Sequence, residues 1–165
     1  MKILLIIWFT LNLFTLYAPE TDYIKNKQEQ KFFKMKYIEH IETSTFTPER
    51  FYNALQFWCK EPGILYQQAL LETGWFKSES FLVYNNPFGM KVPAVRATFV
   101  HSEGLGHAGY EHWTDAVKDM AKWQKYWYSL GYNMDDYYQF LLLVGYAEDP
   151  DYIIKLKTLP DRPNA

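Results

Sequence analysis

From Thr47 onward, apolar positions recur every three or four residues, as in helices that bury one face. Phe51, Ala54, Leu55 and Trp58 form the first row. Thr47 precedes it as a natural N-cap, Pro48 suits the first helical position and Glu49 the positive end. A second row opens at Pro62: Ile64, Leu65, Gln68, Ala69 and Glu72 share one side, Leu70 and Leu71 widen the apolar surface, and Gly74 can close the helix. A third runs from a Thr114 cap through Ala116, Val117, Met120, Ala121, Trp123, Gln124 and Trp127 to Gly131. "MDDYYQFLLLVG" predicts a fourth helix, with Asp135 and Asp136 as cap and first-turn charge, and "DPDYIIKLKTL" a fifth, with Asp149 as cap and Pro150 at its start.

Between the second and third rows the helical period stops. "NNPFG" is turn chemistry, because Asn tolerates left-handed backbone and Pro restricts the residue before it. "VRATFVH" has strand character, and with the glycine-rich "GLGHAGY" it suggests a small hairpin or flap. The expected fold is mainly α, with one small β-hairpin flap after the second helix and no internal repeat.

The first residues follow another pattern. After Lys2, an apolar run from Ile3 to Tyr17 is broken only by Thr10, Asn12 and Thr15. It has the length of a signal-peptide core and falls short of the roughly 20 residues of a spanning helix. Ala18 before Pro19 offers a small residue near a cut site. Residues 1–18 therefore read as a signal peptide or a retained membrane anchor, 19–46 as a polar linker or peripheral segment, and 47–165 as the domain, so the protein is expected to face the outside of the cytoplasm.

Composition narrows the function. The chain of 165 residues suits one domain with a sizeable core. Its net charge of -2 leaves no electrostatic footprint for nucleic acid. Cys59 is the sole cysteine, so no internal disulfide forms, and its apolar setting reads as a buried small residue. Aromatics make up 19% of the chain, which suits a ring-rich core or a groove that stacks sugar faces. Trp123, Trp127 and Tyr128 read as core, while Trp75 and Tyr110, each beside a motif, are the better platforms. His101, His107 and His112 with Glu103 and Glu111 match no strong zinc spacing, so neither metal nor cofactor is expected.

Glu72 is the residue that needs explaining. It comes late in its helix, where the macrodipole disfavours a negative charge, and apolar and aromatic neighbours would desolvate it. Both effects raise its pKa. A carboxyl kept protonated in this way can deliver a proton to a leaving oxygen, as glycoside hydrolysis requires. The competing reading is a glutamate on a solvated helix face.

The residues around it carry a resemblance. "ALLETGWFKS" followed by "NNPFGMK" resembles the signature of the bacterial and phage endo-β-N-acetylglucosaminidases (glycoside hydrolase family seventy-three), usually "ALESGWG.S" and then "NNLFGIK". "GYAEDPDYIIKL" resembles that family's "GYATDP.YA.KL", and "HAGYEHWTDAVKDMAKWQ" fits its "Y.S...S..D" segment. The resemblance spans about Pro48 to Leu159. It implies a lysozyme-like helical fold with a β-containing flap beside a groove, and hydrolysis of peptidoglycan glycan strands after N-acetylglucosamine, by an enzyme expected to be a monomer.

Carried onto matching positions, the resemblance makes Glu72 the general acid and puts Tyr146 near the reacting sugar. It assigns Asn86, Phe88 and Gly89 to the turn that shapes the groove floor. The second catalytic group stays open: Glu103 in the glycine-rich tip is preferred, Glu111 is the alternative, and the substrate's own 2-acetamido group is a third route. Two departures stand out. Phe76 replaces the usual Gly after Trp75, so the turn is expected to run differently, and Pro87 replaces Leu, which stiffens the next turn. The rival readings are a lytic transglycosylase or muramidase of similar fold, and a glycan-binding module without catalysis.

Overall fold

The computed structural model describes residues 45–164. The leader or anchor expected over 1–18, and the polar segment as far as residue 44, lie outside the described residues. Within them the helices are α1 (Pro48–Trp58), α2 (Pro62–Thr73), a short α3 (Glu79–Leu82), α4 (Trp113–Ser129), α5 (Tyr137–Leu143) and α6 (Tyr152–Lys157). Strands β1 (Ser102–Gly104) and β2 (His107–Gly109) lie between α3 and α4 and pair antiparallel. The fold is thus mainly helical, with one small β-hairpin among the described residues. Among the described residues no helix is long and apolar enough to cross a membrane.

Helix α2 is the central element. Leu65, Tyr66, Gln67, Gln68, Ala69, Leu70 and Thr73 are all buried, so burial runs round the helix rather than along one stripe. It packs against α1 on one side and α6 on another, and α1 also packs against α4. The core between them holds Phe51, Leu55, Leu65, Val117, Met120, Phe140 and Leu156, each fully buried.

The α1 and α2 boundaries follow the sequence chemistry. Thr47 accepts a hydrogen bond from the Arg50 amide at 3.2 Å, and Gly74 ends α2 in the left-handed region at φ 53. Two other starts are corrected. Helix α4 begins at Trp113, capped by His112 rather than Thr114: the His112 ring accepts from the Thr114 amide and bonds its hydroxyl at 2.8 Å. Helix α6 begins at Tyr152, two residues after Pro150. Asp149 holds the turn before it by accepting from the Asp151 amide at 2.9 Å, and it also pairs with Lys155.

The turn after α2 takes an unusual path. Gly74, Trp75 and Phe76 are all left-handed, at φ 53, 64 and 61. Phe76 therefore adopts the backbone that a glycine would take without strain. Its ring compensates, lying 4.9 Å from Phe46 and 5.4 Å from Phe51 and Phe81 in an aromatic cluster.

The strand expected over "VRATFVH" is not formed. The hairpin sits just after it, and residues 95–101 instead cross the α4 surface, where Arg96 and the Phe99 amide both bond Asp119. Pairing lies where the backbone can be anchored. The Ala108 amide donates to the Met90 carbonyl at 2.8 Å, and the Asn86 side-chain amide donates to the carbonyls of Ala108 and Met90, each at 2.8 Å. The Tyr84 ring crosses so close that a Cβ on Gly104 would meet it at 2.2 Å, which explains that glycine.

Candidate active site

The residues singled out in the sequence split into two groups in space. Glu72, Phe88, Gly89 and Tyr146 line one cleft of about 420 Å³. Its walls come from the end of α2, the segment from Phe88 to Arg96, the indoles of Trp123 and Trp127 on α4, and the α5–α6 loop from Val144 to Glu148.

Glu72 is the penultimate residue of α2, half-buried. Burial pushes its carboxyl pKa up. A hydrogen bond from the Tyr152 hydroxyl and the nearby charge of His107 pull the other way without cancelling that rise. Tyr152 donates to Oε1 at 2.8 Å and itself accepts from the buried Gln68 amide at 3.3 Å. The other oxygen, Oε2, faces Gly89, where a Cβ would sit 3.3 Å from it. One oxygen is thus held by the fold, and the other lies beside a residue with no side chain, both residues lining the cleft.

The turn opposite Glu72 is built by Asn86, which is fully buried. Its Oδ1 accepts from the amides of Phe88 and Met90, each at 3.2 Å, closing the turn around Pro87. Gly89 takes φ 62, and its carbonyl bonds the His107 ring at 2.9 Å, which ties the hairpin to the turn. Tyr146 donates its hydroxyl to the Phe88 carbonyl at 3.0 Å, and burial holds its pKa far above the ordinary phenol value. It is therefore a neutral brace between the α5–α6 loop and the turn.

The remaining candidates lie elsewhere. Tyr110 is a core residue, not a platform. It is 4% exposed and donates to the fully buried Asp119 at 3.0 Å, which Arg96 grips with two bonds of 2.9 and 2.8 Å. Burial alone would raise Asp119, but the Arg96 bonds, with those of Thr98 and the Phe99 amide, hold it below the usual carboxylate range. Trp75 is 54% exposed and stands outside the cleft lining. Glu103 is exposed on β1 opposite Ala108, with the hairpin tip at Leu105 and Gly106, and Glu111 is exposed just after the hairpin. Neither lines the cleft. Cys59 caps the end of α1, half-buried, with its thiol pushed well up by burial and donating to the Val117 carbonyl.

The indoles of Trp123 and Trp127, read from the sequence as core, provide the cleft's aromatic wall. Trp123 stands edge-on to Tyr146 and Phe140, each at 5.4 Å. Helical spacing put them on an apolar face but did not reveal that the cleft opens along it. Two further residues escaped the sequence reading. Tyr152 was legible only as part of "DPDY", although it holds the acid. Glu148 also lines the cleft, and its signal was the Glu in "GYAEDP" where the resembling motif carries Thr.

In comparison with known proteins, a family model described as mannosyl-glycoprotein endo-beta-N-acetylglucosaminidase matches residues 49–164. No curated protein matches the chain. Among solved structures, the catalytic domain of the autolysin Auto from Listeria monocytogenes is similar at 22% identity, covering 81% of this chain and 90% of that one, with a TM-score of 0.43.

Proposed function

The chain belongs to the glucosaminidase family and is a glycoside hydrolase, and on that premise we propose that it cleaves the β-1,4 bond after N-acetylglucosamine in the glycan strands of peptidoglycan, with Glu72 as the general acid. The observation that carries this reading is the environment of Glu72: a cleft-lining carboxyl whose pKa burial raises, with Oε1 held by Tyr152 and Oε2 beside Gly89. A proton on Oε2 passes to the glycosidic oxygen as the bond to C1 breaks, so the leaving sugar departs as a neutral alcohol.

For the second group we favour the 2-acetamido carbonyl of the substrate. Glu103 and Glu111 stand outside the cleft lining. In this route the acetamido oxygen bonds C1 as the leaving oxygen departs. Glu72, now a carboxylate, takes a proton from the water that opens the oxazolinium ring, and the anomeric configuration is retained. Trp123 and Trp127 supply the aromatic surface of the cleft for the sugars, and Tyr146 braces the floor. The apolar run of residues 3–17 supports action outside the cytoplasm, on the cell wall, by a secreted or anchored protein.

Mass spectrometry of digested, purified peptidoglycan tests the reaction. Reducing N-acetylglucosamine ends are expected; anhydromuramic ends would mean a lytic transglycosylase instead. Glu72→Gln lysing walls at the wild-type rate would remove the assignment of the acid. Loss of turnover in Glu103→Ala or Glu111→Ala by more than a few-fold would return that carboxylate to the mechanism.

A further inference from the structure

The cleft contains more charge than the chemistry uses. Besides Glu72 it is lined by Lys91, Arg96 and Glu148. Arg96 is committed, since both its terminal nitrogens bond the buried Asp119. Lys91 and Glu148 are exposed, and neither makes an ion pair or side-chain hydrogen bond among the described residues. Their neighbours differ: next to Glu148, Asp149 is bonded by Lys155 and by the Asp151 amide. Glu148 lies on the loop wall of the cleft that Trp123 and Trp127 also line.

A carboxylate that lines one cleft with two indoles is a recognition set for an ammonium group, through ion pairing and ring electrons together. Lys91, on the segment after the Asn86 turn, supplies the complementary site for a carboxylate. A strand of N-acetylated sugars lacks ammonium groups, whereas a peptide branch with a free amine and a free carboxyl carries both charges. We propose that Lys91 and Glu148 make this cleft selective for glycan strands that carry zwitterionic peptide branches, Glu148 taking the ammonium and Lys91 the carboxylate. This rests on the peptidoglycan reading above and names the part of that substrate which sets specificity. The contacts are solvent-exposed, so they act on the choice of substrate rather than on the bond-breaking step.

The test compares kcat/KM on three strand preparations: peptide-bearing, stripped of peptide by an amidase, and stripped and partly N-deacetylated on the muramyl sugars alone, which leaves the reacting 2-acetamido group of N-acetylglucosamine in place. The wild type is expected to favour peptide-bearing over stripped strands by about tenfold, the scale of two exposed charge contacts. Glu148→Gln and Lys91→Gln are each expected to lower that ratio by about threefold to fivefold. A wild-type ratio near one overturns the proposal, as does either variant keeping the wild-type ratio. A wild type that favours deacetylated strands as strongly as peptide-bearing ones puts the ammonium on the sugar and overturns the assignment to a peptide. Failure of the underlying reading is separately visible, because then none of the three preparations yields new reducing N-acetylglucosamine ends.

Discussion

Tyr152 donates its hydroxyl proton to Glu72 Oε1 over 2.8 Å, across 80 residues of chain. The two helices they sit on, α2 and α6, pack directly, so the geometry of the acid depends on a helix formed at the far end of the domain. The bond has two consequences. It fixes which carboxyl oxygen is free, and it favours the charged form of Glu72 against the burial that opposes it.

Tyr152→Phe removes that bond. Glu72 is then left with burial less opposed, so its pKa moves further up. The alkaline limb of kcat/KM, set by loss of the Glu72 proton, is expected to shift to higher pH. The maximum rate should fall by about tenfold or more as the carboxyl loses its orientation. A pH–rate profile with an unmoved or lowered alkaline limb would contradict this account.

Glu72→Gln is expected to abolish hydrolysis and to stabilise the fold at neutral pH. A group whose folded pKa is raised contributes stability that is full below its unfolded pKa of about 4.3 and is lost as pH rises through the folded value. Above that window the buried charge is a cost, and glutamine removes it while still accepting from Tyr152. Thermal melts at pH 7 should show a rise of roughly 2–4 °C, the effect of about 1 kcal/mol, which shrinks as the pH falls to 4. A lower melting temperature at pH 7 would show that the charge is better solvated than its surroundings imply.

Gly89→Ala should damage the site more than the fold. The new Cβ lies 3.3 Å from Glu72 Oε2, the oxygen left for the substrate, at a backbone φ of 62 that alanine adopts with strain. The expected stability loss is about 1–2 kcal/mol. The expected loss in kcat is about tenfold, because Glu72 Oε2 must give by a few tenths of an ångström, which misaligns the proton donor. Chemical denaturation alongside kinetics separates the two effects, and a kcat within threefold of wild type would sink the prediction.

Asp119→Ala tests the bonds that hold residues 95–101 and Tyr110 in place. It leaves the Arg96 guanidinium and the Tyr110 hydroxyl without their shared partner. The expected cost is about 3–5 kcal/mol at neutral pH. The sign with pH is opposite to that of Glu72: a depressed folded pKa contributes stability that is full above the unfolded value of about 3.9 and is lost as pH falls through the folded one. Urea titrations should therefore show wild type and variant converging in acid. A constant gap down to low pH would mean that Asp119 acts through packing alone.

Much of the helical frame was legible in the chain. Thr47 with Pro48, and Pro62 with Gly74, mark helix ends by local backbone chemistry, which needs no knowledge of the rest of the fold. Where two local solutions compete, local reasoning slipped by two residues, as at His112 against Thr114 and Asp151 against Asp149.

What the sequence by itself determined was the mainly helical class, the late helical position of Glu72 and the Asn86 turn, because periodicity, caps and turn residues act over a few neighbours. Only the tertiary structure decided what meets Glu72. Tyr152 and Gly89 reach it from distant parts of the chain. Tyr110 is drawn into the core because Asp119 is there to accept its proton. Trp123 and Trp127, on an apolar stripe that looks like any other, become part of a cleft wall because the α5–α6 loop and the segment after the Asn86 turn fold beside them. Desolvation, hydrogen-bond partnership and exposure are properties of what surrounds a residue, and those surroundings form only when segments far apart in sequence pack together.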